Sequence, residues 1–224
     1  MREETFEFNG YKAFVIIPDE PNGKWIWKTE FFHAFDQAEV ALCQRGYTRV
    51  YYQIPDMYGS YTAVRLMRAF YHEVRKRYNL CEKAHLFGFS RGGLYAFNFA
   101  LFYPEYVGKI YLDAPVLDMK VWPREGTVNQ AQMFEQYCLN KDTFASFRDN
   151  PVDNMQEFFA HKIPLMIISG DKDESVPIEK CAGVFYNYCK ENNIDIKYIV
   201  KPGAGHHPHS LEDVTPIVEF IEND

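Results

Sequence analysis

Ala84-His85-Leu86-Phe87-Gly88-Phe89-Ser90-Arg91-Gly92-Gly93-Leu94 is the stretch of this chain whose reading decides the fold. Ala84 to Phe89 is a short apolar run, the right length for a buried strand. Gly93 to Phe102 reads as a helix stopped by Pro104. Between them lies Gly88-Phe89-Ser90-Arg91-Gly92, a G-x-S-x-G sequence. The five-letter pattern alone is common; its placement between a strand and a helix is not. Such a turn forces the serine into a strained backbone conformation that exposes its Oγ, and the flanking glycines are needed because a Cβ would collide with the neighbouring strand and helix. A serine that merely caps the helix is the competing explanation, and the strand-turn-helix context weighs against it.

Upstream, Phe6 and Phe8 alternate with polar neighbours, Asn9-Gly10 is a two-residue hairpin signal, and Tyr11 to Ile17 is a second extended run. An antiparallel hairpin is expected there. Thr29 is the expected N-cap of a helix carrying Phe31, Phe35, Ala38 and Leu42 and ended by Gly46, with a strand over Thr48 to Ile54 next. The spacing of Val64, Met67, Tyr71, Val74 and Tyr78 predicts a long helix leading to the Ala84 strand. Downstream, strands at Lys109 to Leu112, Leu165 to Ser169 and Ile196 to Val200 alternate with a helix near Glu179 to Glu191 and a last one opened by Thr215-Pro216. The alternation predicts a single α/β domain over 1–224, with a mostly parallel sheet covered by helices on both faces. Residues 116–162 break the rhythm with prolines, turns and two short helical patterns. They are expected to form a small lid-like insertion, since excursions at the carboxyl ends of parallel strands sit where ligands bind.

The chain has 224 residues and a formal net charge of −7, with no Lys/Arg cluster to offset it, so neither nucleic acid nor an anionic membrane surface is an expected partner. No apolar run near the motif reaches the roughly 18 residues a membrane span needs, and no secretory signal follows Met1-Arg2-Glu3-Glu4, so a cytoplasmic location is expected. Cys43, Cys81, Cys138, Cys181 and Cys189 are irregularly spaced and read as reduced, buried thiols.

A serine hydroxyl needs a base to take its proton and a carboxylate to orient that base. Three of the seven histidines stand together in Gly203-Ala204-Gly205-His206-His207-Pro208-His209, just after the last predicted strand. His206, reached through a flexible glycine-rich approach, is the favoured base; His207, restricted by the proline after it, is the alternative. A metal site is the rival explanation for the cluster, but no Cys, Asp or Glu stands at ligand spacing among the three, and no metal or cofactor is expected. Asp171 and Asp173, in Gly170-Asp171-Lys172-Asp173-Glu174-Ser175-Val176-Pro177, follow the preceding strand; Asp171 reads better as a turn residue, and Asp113 and Asp118 are fallback acids.

Taken together, Gly88 to Gly93, Gly170 to Pro177 and Gly205-His206 make the chain resemble the α/β-hydrolase superfamily, similar to its esterase, lipase and prolyl-oligopeptidase-like members, over nearly its whole length. The resemblance implies Ser90 as nucleophile, Asp173 as orienting acid, His206 as base, no cofactor, and an oxyanion hole partly formed by the backbone N–H of Arg91. The second donor is expected in Asp19 to Lys28, where the His-Gly or Gly-Gly pair of the pattern is missing and Trp25 stands as the candidate. Trp25, Trp27, Tyr58 and Trp122 are expected near strand ends, where packing in a core or lid is the commoner role and stacking on a sugar or aromatic acyl group the alternative. Arg91 reads either as a clamp for an anionic group or as half of an internal ion pair. A carboxylesterase for small or carbohydrate-linked esters is the leading expectation; a serine peptidase and a non-catalytic binding scaffold are the alternatives.

Overall fold

In the computed structural model, which describes residues 1–223, eight strands form one sheet in the order β1-β2-β4-β3-β5-β6-β7-β8. β1 (Arg2–Phe8) and β2 (Tyr11–Ile17) make the expected hairpin, and β2 runs antiparallel to β4 (Thr48–Tyr52). From β4 onward every pairing is parallel, through β3 (Trp25–Lys28), β5 (Ala84–Phe89), β6 (Val107–Asp113), β7 (Leu165–Gly170) and β8 (Lys197–Lys201). The fold is an α/β-hydrolase fold. The chain passes from β3 to β4 on one side and then crosses back to β5 on the other. That reversal of strand order opens a crevice beyond the carboxyl ends of β3 and β5, where α/β sheets bind ligands.

Alternating strand residues feed two cores. Trp27, Leu86, Leu112 and Ile167 face α2 (Tyr61–Tyr78), α3 (Gly92–Phe102) and α7 (Ala182–Glu191). Ile26, Phe87, Tyr111 and Ile168 face α1 (Gln37–Cys43) and α8 (Thr215–Glu222). Helix α2 forms because its apolar residues recur at helical spacing; it buries Val64, Met67, Phe70, Tyr71 and Val74, starts at the Ser60 N-cap and stops at Asn79 in the left-handed region. Helix α3 has no polar face, and nine of its residues are buried between sheet and insertion.

Four sequence expectations change. Trp25–Lys28 is a fully buried strand, not a loop, and the helix expected from Thr29 begins only at Gln37. Phe31 and Phe35 sit at φ +57° and +50°, which no right-handed helix accommodates. β3 ends on Lys28, whose ammonium is buried against Glu39 at 2.6 Å and lies 4.0 Å over the Phe89 ring, so a charge that looks like surface closes an interior strand. Residues 116–162 hold three helices, α4 (Val128–Gln136), α5 (Lys141–Ala145) and α6 (Met155–Ala160), rather than two. This segment is docked onto the body: Met133 and Phe158 are fully buried, Phe158 stacks on Phe97 at 4.6 Å, and Tyr137 Oη donates to the Tyr58 carbonyl at 2.8 Å. Among the cysteines, all free, Cys43, Cys181 and Cys189 are buried but Cys81 and Cys138 are exposed. Among the described residues no helix is long and apolar enough to cross a membrane.

Candidate active site

Ser90 follows the last residue of β5 with φ +49°, in the left-handed region where a non-glycine residue is strained. Two contacts hold it there: its N–H donates to the Asp113 carbonyl at 2.9 Å, and its own carbonyl accepts from Val116 N–H at 2.9 Å. The flanking glycines are required by space. A Cβ on Gly88 would meet Gly92 O and Leu112 Cδ2 at 2.9 Å, and one on Gly93 would meet Pro115 Cβ at 2.7 Å.

Asp173 lies three residues beyond β7, and His206 lies five beyond β8. His206 Nδ1 is 2.7 Å from Asp173 Oδ2, and since a carboxylate only accepts, this nitrogen carries the proton. The other nitrogen, Nε2, therefore presents its lone pair to Ser90 Oγ at 2.9 Å. The second Asp173 oxygen accepts from the N–H groups of Ser175 and Val176 at 2.9 and 2.8 Å. Burial would raise the Asp173 pKa, but the His206 bond and these backbone N–H groups outweigh it and hold the carboxyl below its ordinary range. Gly170 lets the two loops meet: a Cβ there would lie 2.2 Å from Ala204 O. Asp171, read from the sequence as a turn residue, instead reaches across to the histidine loop and accepts from Gly203 N–H at 2.7 Å.

The fallback acids are engaged elsewhere. Asp118 accepts from Lys120 N–H in its own turn. Asp113, fully buried, accepts from Tyr111 Oη at 2.7 Å, Ser210 N–H at 2.9 Å and His209 Nδ1 at 2.8 Å. His207, the alternative base, is exposed, and its ring stacks on Phe35 at 5.8 Å.

Trp25 is not at the crevice. It opens β3, paired with Thr48 at the amino ends of the parallel strands, and its indole N–H donates to the Cys81 carbonyl at 2.9 Å. Trp27 is likewise a core residue, stacked on Trp25 at 5.8 Å. The segment that does reach the elbow is 29–31, which the expected helix had hidden. Thr29 Oγ1 donates to Gly92 O at 2.8 Å, and a Cβ on Gly92 would lie 3.2 Å from Glu30 Cβ. Arg91 resolves as half of an internal ion-pair network, 3.0 Å from buried Glu30 and 2.7 Å from Asp56, with its guanidinium 5.6 Å from both the Phe31 and Tyr58 rings. Trp122 packs 6.1 Å from Tyr58. Of the four aromatic residues expected at strand ends, Tyr58 and Trp122 are therefore beside the elbow.

The sequence profile of the prolyl oligopeptidase family matches residues 42–223. The chain belongs to that family. No curated relative matches it by sequence. Among solved structures it is similar to a puromycin-hydrolyzing peptidase from Mycobacterium tuberculosis, with a TM-score of 0.70 and 13% identity over 92% of this chain. It is also similar to an S-formylglutathione hydrolase from Staphylococcus aureus, with 0.69 and 13% over 98% of this chain and 94% of that one. A carboxylesterase from Lactobacillus plantarum gives 0.66 and 15% over 92% of this chain and 85% of that one. This prolyl oligopeptidase family chain spans 37% of the mycobacterial peptidase and 32% of a dipeptidyl peptidase 4 from Porphyromonas gingivalis, about a third of each. At these identities the structural likeness speaks for the fold. With the family it makes the chain an α/β-hydrolase-fold member of the prolyl oligopeptidase family.

Proposed function

We propose that the protein is a carboxylesterase acting on a small or carbohydrate-linked ester through a catalytic triad of Ser90, His206 and Asp173. The observation that carries this reading is the continuous hydrogen-bonded chain from Asp173 through His206 to Ser90 Oγ, 2.7 and 2.9 Å, at a strained serine. His206 Nε2 takes the Oγ proton as Oγ attacks the ester carbonyl carbon. The negative charge that develops on the carbonyl oxygen falls to backbone donors. Arg91 N–H, at the amino end of α3, is one. The other is assigned to Phe31 N–H, at positive φ directly after the segment that abuts Gly92, in place of Trp25. His206 then returns the proton to the departing alkoxide, leaving an acyl group on Ser90. Water, deprotonated by the same Nε2, attacks the acyl carbon and regenerates the hydroxyl.

Among the described residues, 116–162 is read as a lid over the crevice, fixed by Tyr137 and by Tyr58 Oη, which lies 2.9 Å from Gln132 Oε1. Phe31, which is exposed, and the half-buried Trp122 offer faces for an aromatic acyl group or a sugar. Arg91 is committed to two carboxylates, so charge recognition of the substrate does not fall to it.

The test is hydrolysis of short-chain p-nitrophenyl esters and acetylated sugars by the parent and Ser90→Ala proteins. Activity surviving in Ser90→Ala overturns the triad. The family match favours a second reading, a serine peptidase; turnover of aminoacyl-naphthylamides without ester turnover selects it. A folded parent that no fluorophosphonate labels would instead be a binding scaffold.

A further inference from the structure

The segment from His206 to His209 carries more imidazole than one proton relay uses. The rings of His206, His207 and His209 stand edge to face with centroids 4.8 to 5.0 Å apart, and one nitrogen from each lies within 4.8 Å of the others. Two of the three are oriented in the same way: Asp173 holds Nδ1 of His206, and Asp113 holds Nδ1 of His209 at 2.8 Å. Each carboxylate fixes the tautomer that leaves Nε2 as a lone-pair donor, which is how metal-binding imidazoles are supported from behind. His207 is exposed, with its ring stacked 5.8 Å from that of Phe35 at the mouth of the cluster.

We propose that His206, His207 and His209 together form a binding site for a divalent transition cation of the Zn2+ class, and that the bound ion withdraws His206 Nε2 from Ser90 and so switches the hydrolase off. The spacing in sequence argued against a metal because no acid or thiol intervenes; the fold supplies the acids from two other loops, behind the rings instead of beside them. Zn–N bonds of about 2.0–2.1 Å in tetrahedral geometry bring nitrogens to about 3.3 Å, so the cluster must contract by about 1.5 Å. The exposed His207, in the loop that follows Gly203 and Gly205, can swing toward the other two, and His206 closes on His209 by leaving Ser90. Three protein donors leave the fourth position to solvent, which suits a reversible inhibitor more than a closed structural ion. The inhibitory half of the proposal rests on the triad assigned above; the binding half does not.

Protein stripped with a chelator, in a background of Cys81→Ser and Cys138→Ser so that the exposed thiols cannot compete, is titrated with Zn2+ alone. Calorimetry should give one ion per chain, X-ray absorption should show nitrogen and oxygen neighbours, and EDTA should reverse both the binding and any inhibition. Ester hydrolysis and fluorophosphonate labelling of Ser90 should fall together as the site fills, each read against the same variant's metal-free rate. His207→Ala should weaken binding by about tenfold or more, and His209→Gln likewise. Zn2+ binding of unchanged strength in His207→Ala, sulfur neighbours, or no bound ion at about tenfold molar excess would overturn the site. Binding through the histidines with hydrolysis and labelling undiminished would overturn the switch. Absence of ester turnover before any metal is added would count against the proposed function alone, because calorimetry and absorption still read the site.

Discussion

Two aspartate–histidine pairs stand side by side at the carboxyl ends of the sheet, and only one faces a serine. Asp173–His206 and Asp113–His209 share the same bond, carboxylate to Nδ1, at 2.7 and 2.8 Å. The rings are 5.0 Å apart. They differ in what meets the far nitrogen and in how much water reaches them. His206 is 14% exposed and its Nε2 points to Ser90; the His209 side chain is 4% exposed and packs between the Phe89 and Phe35 rings. The carboxylates differ too. Asp173 spends its second oxygen on its own turn, whereas Asp113 ties Tyr111 of the sheet to Ser210 beyond the histidines. In the proposed triad the pair relays a proton because its outer nitrogen meets the half-buried Ser90 hydroxyl, whereas at His209 it ties the histidine loop to the sheet.

The comparison breaks most readily by exchanging each acid for its amide. Asp173→Asn should lower kcat on the order of 10^4-fold, because the amide no longer selects the tautomer that leaves Nε2 free, while the folded state persists by circular dichroism. Asp113→Asn should instead show its loss in urea unfolding, about 3 kcal/mol, since three buried donors lose a charged acceptor. If Asp113→Asn costs as much kcat as Asp173→Asn with no change in unfolding midpoint, the two pairs are not the relay and clamp described. A smaller effect is expected from Tyr111→Phe, which removes one bond to the buried carboxylate. About 2 kcal/mol of stability should go, with kcat per folded molecule nearly unchanged.

The smallest effect is in pH. Asp173 has its pKa depressed in the folded state, so it contributes stability that is fully present above the unfolded value near 3.9 and is lost as pH falls through the folded value. The gap in unfolding midpoint between parent and Asp173→Asn should therefore narrow as pH drops below about 4. A gap that widens on acidification would mean that Asp173 is not held ionised by His206 and the Ser175 and Val176 amides.

Much of this site could be read along the chain. The strand, the Ser90 turn and helix α3 are local: apolar length, glycines at a bend and helical spacing lie within 20 residues of one another. The order serine, aspartate, histidine named the three residues that the fold brings to 2.7 and 2.9 Å. The segment before the elbow was misread for reasons that are not local. Trp25-Ile26-Trp27-Lys28 is four residues long and ends in a charge, which Glu39, the Ala34 carbonyl and the Phe89 ring make tolerable inside. Phe31, Phe35, Ala38 and Leu42 have helical spacing, yet the first two are set at positive φ by a turn between β3 and α1. With that turn unseen, Trp25 stood in for the residues at the elbow.

The amino-acid order by itself determined the elements with strong periodicity and the identity of the groups able to do acyl chemistry, because hydrophobic spacing and glycine placement act over a few residues. Tertiary structure alone decided that Asp113 pairs with His209, that Arg91 is spent on Glu30 and Asp56, and that three imidazoles converge. These outcomes depend on loops from different strand ends meeting in space, as at Gly170, where an absent Cβ lets the histidine loop lie against the acid loop. No local pattern encodes such a contact, since its energy belongs to residues more than 30 positions apart.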